Sequence, residues 1–200
     1  RNVVGLPTPP GFAVTAEAYQ SLIRAHGFLP DEAGNMPLSE EDSPKASELT
    51  IPETIEMSIF DAYDRLSQAL GAPPAVAVRS SAIGEDSAYS FTGQFLTLLN
   101  VRREGLIEAY RKVVESLFSA DAVHYRQLHK LAASTMPVGF LVMADAVSSG
   151  VVYTADPSRP DARVVLVHVV KGLGPSLVDG RTSPETVTVE RDPELHIGLR

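Results

Sequence analysis

Three helices are predicted along the chain, and in the second and third of them apolar side chains recur every three or four residues, a spacing that places them on one helix face. The first helix is predicted to follow Thr15, a good N-cap residue, and to run to about Ala25. The second ends at Gly71, and its apolar face consists of Ile55, Ile59, Tyr63, Leu66 and Leu70. The third is a long linking helix at about residues 103–131, with an apolar face of Leu106, Ile107, Tyr110, Val113, Val114 and Leu117. The second and third helices are therefore each expected to bury one face.

Short apolar runs bounded by turn-forming residues predict β-strands. The run Ala75-Val76-Ala77-Val78 is continuously apolar, as in an interior strand, and it leads directly into Arg79-Ser80-Ser81. Four further β-rich segments lie at residues 138–144, 150–154, 163–170 and 186–189, separated by turns, and they predict a mostly antiparallel sheet. Residues at about 27–52 are rich in Pro, Gly, Ser, Asp and Glu, which predicts a loop insertion.

Composition narrows the class of protein. The 200 residues are 44% hydrophobic and 21% charged, which suits one or two folded units. The net charge of −8 argues against a large basic groove for nucleic acid. The chain has no apolar run long enough to span a bilayer, no signal peptide at its start and no cysteine, so we expect a cytoplasmic protein without disulfides, membrane contacts or zinc–thiolate sites.

The end of the interior strand carries residues suited to phosphate chemistry. Arg79 offers a planar, permanently charged fork for phosphate oxygens, and Ser80 and Ser81 add hydroxyl and amide donors. Gly93, in the segment Ser90-Phe91-Thr92-Gly93-Gln94, would let a loop backbone approach the phosphates closely. The alternative is a structural ion pair of Arg79 with the acidic segment Glu85-Asp86. Local chemistry leaves both interpretations open.

Other candidate sites are weaker. Asp156 precedes Pro157 and is expected to cap a turn, rather than to support a bound magnesium ion. The segment Lys171-Gly172-Leu173-Gly174-Pro175 has neither the dinucleotide-binding nor the Walker spacing of glycines. His124 and His129 are five residues apart and would point in different directions from a helix, and the remaining histidines, His26, His168 and His196, stand alone. We therefore expect no metal site and no catalytic histidine in this chain.

Several short motifs, in the same order, resemble the nucleotide-binding N-terminal domain of the phosphoenolpyruvate synthase and pyruvate phosphate dikinase family. The resemblance touches most of the chain except about residues 26–51. The matching motifs are Pro9-Pro10-Gly11-Phe12-Ala13-Val14-Thr15, Val78-Arg79-Ser80-Ser81-Ala82, Glu85-Asp86, Ser90-Phe91-Thr92-Gly93-Gln94, Leu99-Asn100-Val101, Ser116-Leu117-Phe118, Tyr125-Arg126, Ser149-Gly150-Val151 with Thr154, Gly172-Leu173-Gly174 and Ser183-Pro184-Glu185-Thr186. Rifampicin phosphotransferase shares this type of domain, so the motifs do not choose among the family's members.

The resemblance implies an α+β, ATP-grasp-like fold with mixed or antiparallel sheets flanked by helices. Its first subdomain would span residues 1–131, and a second, partial one residues 132–200. Mg-ATP would bind between them, and a phosphoryl group would pass to a histidine on a swivelling domain of the same full-length protein and on to pyruvate or a related acceptor. Arg79 would be catalytic, and the ATP-binding residues would be Arg79, Ser80, Ser81, Gly93 and Gln94.

The chain also departs from the family's pattern. The family's phosphate-binding lysine would precede the chain and its acidic magnesium ligands would follow Arg200, so the domain is expected to be incomplete at both ends and to bind ATP weakly by itself. Leu141 stands where relatives usually carry glutamine, and Pro175 replaces a frequent glutamate. These departures keep open a degenerate nucleotide-binding or regulatory module without catalysis, or a purely structural interaction domain.

Overall fold

The computed structural model describes residues 7–27, 49–81, 96–122, 124, 136–159 and 161–190. The chain divides into two compact units, one from Thr8 to Met143 and one that begins at Ala144. Glu85, Asp86, Gly93 and Gln94, and most of the predicted insertion at 27–52, lie outside the described residues. Within those residues no helix combines the length and the apolar character needed to cross a membrane.

The first unit contains a four-stranded antiparallel sheet with the strand order β1-β4-β2-β3. Its elements in chain order are β1 (Gly11–Val14), α1 (Ala16–Ala25), α2 (Glu53–Leu70), β2 (Val76–Ser80), β3 (Thr97–Val101), a 3₁₀ turn (Arg103–Gly105), α3 (Leu106–Ser116) and β4 (Val138–Val142). Strands β2 and β4 are therefore interior, and β1 and β3 are the two edges.

Local signals in the sequence set the helix ends. Thr15 caps α1, because its side-chain oxygen accepts a hydrogen bond from the Ala18 amide at 3.4 Å. The same hydroxyl lowers the pKa of Glu17 in the first turn. Gly71 ends α2 in the left-handed conformation, with φ of 77°, which glycine adopts without steric cost. These ends agree with the sequence prediction.

One face of this sheet packs against the helices. Along β2 the side chains of Val76, Val78 and Ser80 are buried, whereas Ala77 is half-buried and Arg79 is exposed. The core also contains Val14, Tyr19, Leu22, Ile23, Ile59, Tyr63, Leu106, Tyr110, Val113, Val114, Val138 and Phe140. The alternation of burial means that Arg79 projects from the opposite face, which we call the open face of the sheet.

A β-bulge shapes the edge strand β3. Its pairing with β2 shifts register between Val76 and Val78, and Asn100 takes a φ of 58° within the shifted stretch. Asparagine tolerates this left-handed backbone better than most residues. The bulge accounts for asparagine in the motif Leu99-Asn100-Val101.

The second unit contains a three-stranded antiparallel sheet in the order β5-β6-β7. Its elements are β5 (Ser148–Tyr153), β6 (Val164–Lys171), the four-residue helix α4 (Pro175–Val178) and β7 (Glu185–Glu190). Gly150 on β5 lies so close to β6 that a Cβ atom would be 2.3 Å from the His168 carbonyl oxygen. Glycine is therefore required there by packing.

The structure differs from the sequence prediction in two places. The segment predicted at residues 138–144 forms a strand, β4, but β4 pairs with β1 and β2 in the first unit, and the units divide after Met143 rather than at residue 131. Burial explains the placement, because Val138 and Phe140 complete the core beneath the helices. The predicted linking helix at 103–131 is interrupted: α3 ends at Ser116, residues 117–119 form a turn, and residues 120–122 and 124 are again helical, whereas 125–131 lie outside the described residues.

Candidate functional site

Arg79 lies near the end of the interior strand β2, on the open face of the four-stranded sheet. It is directly opposite Thr97 on β3 and Gly139 on β4, and Gly139 is in turn opposite Ala13 on β1. The four residues form a row across the sheet. Three of them are small, so Arg79 provides the only charge and the longest side chain of this row.

The Arg79 guanidinium makes few polar contacts with the described residues. Its described hydrogen bond is from Nε to the Ser80 carbonyl oxygen at 3.5 Å, which is at the long limit for such a bond. No carboxylate among the described residues forms an ion pair with it. An exposed guanidinium with weak internal contacts can present its fork to an anion such as phosphate.

The two serines after Arg79 have different surroundings. The Ser80 side chain is buried, with 4% exposure, and lies on the core side of β2, away from the Arg79 side chain. Ser81 is exposed, but its backbone amide donates to the Pro137 carbonyl oxygen at 2.9 Å. Of these serine groups, the exposed Ser81 hydroxyl is therefore the one that can donate to a ligand beside Arg79, because the Ser81 amide is hydrogen-bonded to Pro137.

Asp156 caps a turn, as the sequence predicted. Its Oδ1 accepts hydrogen bonds from the Ser158 amide at 2.9 Å and the Ser158 hydroxyl at 2.6 Å, and its Oδ2 accepts one from Arg159 Nε at 3.0 Å. The bonds from Ser158, supported by Arg159, lower the pKa of Asp156 to about 2. Both carboxylate oxygens are occupied, so this residue is poorly suited to bind a metal ion.

Two of the histidines in the described residues, His26 and His168, make contacts within the fold, and the third, His124, is exposed. His26 Nδ1 lies 2.9 Å from the Leu22 carbonyl oxygen, and the Thr50 amide donates to His26 Nε2 at 2.9 Å. Because Nε2 accepts from the Thr50 amide, Nδ1 is the ring nitrogen that donates to the Leu22 carbonyl oxygen. His168 packs edge-on against Tyr153 with ring centroids 5.2 Å apart, and His124 is exposed. No group of three His, Cys, Asp or Glu side chains within the described residues is arranged to hold a metal ion.

The segment after β6 forms a tight turn rather than a phosphate loop. Gly172 takes a φ of 73°, and its amide donates to the Val147 carbonyl oxygen at 2.8 Å. Gly174 then precedes α4, whose single turn begins at Pro175. Because the Gly172 amide is used within the turn and proline has no amide hydrogen, the segment offers few free donors to an anion.

Sequence reasoning did not single out Gly139. Its position beside Arg79 follows from strand pairing between segments that are distant in the sequence. A signal was present, since an isolated glycine inside an apolar strand often marks a place where another group comes close. The strand Val138–Val142 carries that pattern, with glycine between two buried residues.

Comparison with known proteins identifies the family. Residues 1–198 match the family described as pyruvate phosphate dikinase, AMP/ATP-binding domain. The chain belongs to this family. The match includes both compact units and confirms the resemblance that the motifs indicated, together with the nucleotide-binding class of the domain.

Relatives within the dikinase family include several named enzymes. A probable phosphoenolpyruvate synthase of Methanothermobacter thermautotrophicus is 33% identical in an alignment of 204 positions that covers 94% of this chain and 30% of that protein. The phosphoenolpyruvate synthase of Aeropyrum pernix is 34% identical, over 94% of this chain and 25% of that protein. The rifampicin phosphotransferase of Bacillus cereus is 31% identical, over 96% of this chain and 23% of that protein. The chain thus spans less than a third of the length of each of these relatives.

Proposed function

We propose that this chain is the ATP-binding part of a longer phosphotransferase similar to phosphoenolpyruvate synthase and pyruvate phosphate dikinase. In this proposal the full-length protein passes a phosphoryl group from ATP to a histidine on another domain, and then to pyruvate or a related acceptor. The relatives' names and the AMP/ATP-binding family support the class of reaction. A phosphohistidine domain and an acceptor domain of the same protein would be the partners, and the location would be cytoplasmic.

The exposed guanidinium of Arg79 is the single observation that carries this proposal. It lies near the end of an interior strand, forms no ion pair with a described carboxylate and projects from the open face of the sheet. In phosphoryl transfer an enzyme contributes mainly positioning and charge stabilisation, which a preorganised arginine supplies. We assign Arg79 the role of holding the triphosphate, with the Ser81 hydroxyl beside it.

Further parts of the proposal concern the ATP site as a whole. The two compact units would be the two subdomains of an ATP-grasp fold, and their antiparallel sheets and helices are compatible with it. Magnesium would accompany ATP and neutralise phosphate charge. We propose that its protein ligands lie outside the described residues, which contain no suitable cluster. Ser80, Gly93 and Gln94 remain proposed ATP-binding residues, with Ser80 acting through its backbone because its side chain is buried.

The test uses the full-length protein and three variants, Arg79→Ala, Arg79→Lys and Arg65→Ala. Loss of Arg79 is expected to slow phosphoryl transfer from ATP about a hundredfold or more, on the scale of removing one preorganised donor. Lysine should not restore the rate, because it lacks the planar fork. Arg65 is an exposed arginine on α2, so Arg65→Ala controls for the loss of a surface charge.

Folding stability separates the proposed role from a structural one. Because Arg79 is exposed, Arg79→Ala should change the free energy of unfolding by about 1 kcal/mol or less. The structural alternative, an ion pair with Glu85 or Asp86, would cost about 3 to 5 kcal/mol if it were buried. A large loss of stability with normal transfer in the folded fraction would contradict the proposal.

A module that binds nucleotide without catalysis is the second candidate. It is favoured by Leu141, which lies half-buried on β4 opposite Gly11 and Ala77, where it offers no polar group to a nucleotide. Pro175 likewise contributes no carboxylate at the start of α4. The two candidates differ in outcome, since a non-catalytic module would bind ATP in the full-length protein while transferring no phosphoryl group.

A further inference from the structure

The two cross-strand neighbours of Arg79 differ in size. Thr97, a β-branched residue, is its neighbour on β3, and Gly139, which has no side chain, is its neighbour on β4. A Cβ atom built on Gly139 would lie 3.8 Å from Arg79 Cγ and 3.9 Å from the Arg79 carbonyl oxygen. Arg79 Cβ is not within 4 Å of that position, so Cγ lies closer to it than Cβ does. The Arg79 stem therefore leans towards β4, into the space that Gly139 leaves free.

The position of the stem matters because few groups among the described residues orient the Arg79 side chain. The bond from Nε to the Ser80 carbonyl oxygen is long, at 3.5 Å, and no described carboxylate is paired with the guanidinium. A long, exposed side chain of this kind loses rotamer entropy when a ligand fixes it. Packing of the stem along a flat strand restricts the rotamers in advance and directs the charged group along the open face.

We propose that Gly139 is a positioning residue for Arg79, which keeps the space in which the Arg79 stem lies and so sets where the guanidinium meets the phosphates of ATP. This inference rests on the proposed function, because it assigns Gly139 a role only through the ligand of Arg79. Gly139 itself contributes no polar side chain and acts by the absence of bulk.

On this proposal, the size of the side chain at position 139 determines whether the Arg79 stem stays in place. A methyl group fits, because 3.8 Å is an ordinary van der Waals distance, so Gly139→Ala should leave Arg79 in place. Valine extends about 1.5 Å further with two branches that cannot rotate away freely. Gly139→Val should therefore displace the stem, while valine remains favourable for a half-buried strand position.

The experiment is a double-mutant cycle on ATP affinity in the full-length protein, measured by calorimetry with Mg-ATP. Arg79→Ala is expected to weaken binding about tenfold to a hundredfold, the effect of losing a charge-assisted hydrogen bond. Gly139→Val should weaken binding about tenfold, and Gly139→Ala less than about twofold. In the Arg79→Ala background, Gly139→Val should cause no further loss beyond about twofold, because its effect passes through Arg79. Circular dichroism verifies folding, and Gly139→Leu replaces the valine variant if that variant unfolds.

The outcomes distinguish this inference from the proposed function. If Arg79→Ala weakens binding but the folded bulky variant, Gly139→Val or its replacement Gly139→Leu, does not, the role of Gly139 is refuted and that of Arg79 stands. If the losses from Gly139→Val and Arg79→Ala are additive, the bulk at 139 acts independently of Arg79 and the inference is also refuted. If Arg79→Ala has no effect on ATP affinity, the assignment of Arg79 itself fails, and the role of Gly139 fails with it.

Discussion

A methyl group added at Gly11 should destabilise the first unit. Gly11 begins the edge strand β1, and a Cβ atom there would lie 2.2 Å from the Phe140 carbonyl oxygen and 3.0 Å from Leu141 Cα. Both atoms belong to the backbone of β4, which is held between β1 and β2 and cannot rotate away as a side chain would. In Gly11→Ala the two strands must move apart.

The expected magnitude follows from comparison with Gly139→Ala, on the neighbouring strand of the same sheet. Both changes restrict the unfolded chain equally, which stabilises the folded state by about 0.4–1 kcal/mol where the new residue fits. At Gly139 the methyl group meets only ordinary contacts, beginning at 3.8 Å, so this small gain or no change is expected. Overpacking at Gly11 costs about 1–3 kcal/mol. Gly11→Ala should therefore be less stable than Gly139→Ala by about that amount.

Urea unfolding followed by far-UV circular dichroism measures this difference. The helices α1, α2 and α3 all belong to the unit that contains the sheet, so the helical signal reports mainly on this unit. The slopes of unfolding against urea should be equal and the midpoints different. Equal midpoints for the two variants, or a higher midpoint for Gly11→Ala, would refute the argument that the β4 backbone excludes a side chain at Gly11.

Three further predictions concern single groups. Tyr110→Phe should leave stability unchanged or raise it, because the buried Tyr110 hydroxyl has no hydrogen-bond partner among the described residues and burial raises its pKa. Tyr63→Phe should instead cost about 1 kcal/mol, because it removes a 2.7 Å hydrogen bond to the Pro74 carbonyl oxygen. Thermal melts of both variants test this contrast. The pKa of Asp156 falls from 3.8 to about 2 on folding, so its contribution to stability should be complete above about pH 4 and lost as the pH falls towards about 2. A difference in the free energy of unfolding between wild type and Asp156→Asn that stays constant over that pH range would contradict this prediction. None of the five histidines should carry phosphate after incubation of the chain with ATP, and stoichiometric phosphohistidine detected by mass spectrometry at any of them would disprove this.

Features that depend on near neighbours in the sequence were predictable. The N-cap at Thr15 and the stop at Gly71 need only residues within one or two helical turns, and both form as expected. The strand that leads to Arg79 was also predictable, because a short apolar run after two prolines has few alternatives. The motif order then identified the family, which the match over residues 1–198 confirms.

Features that depend on distant segments were not predictable by the same means. The segment at 138–142 was expected to share a sheet with the strands that follow it, yet β4 pairs with β1 and β2, far back along the chain. Periodicity identifies a strand but carries no information about its partner. The same limit applies to the position of Gly139 opposite Arg79 and to the burial of Ser80, which depends on which face of the sheet the core covers.

Packing and local backbone geometry explain several residues that the sequence analysis singled out, including Gly11, Asn100 and Gly150 in motifs that carry the family resemblance. Gly11 and Gly150 face cross-strand carbonyl oxygens at distances that exclude a side chain, Asn100 occupies a left-handed bulge, and Asp156 caps a turn with both oxygens bonded. Each of these residues has a reason to be present without any ligand. Arg79 has no such reason within the described structure, since it is exposed, weakly bonded and unpaired with any described carboxylate. Because the described residues give this charged group little structural role, its position near the end of an interior strand supports our proposal that it binds the phosphates of a nucleotide, the ligand class that the family of the chain indicates.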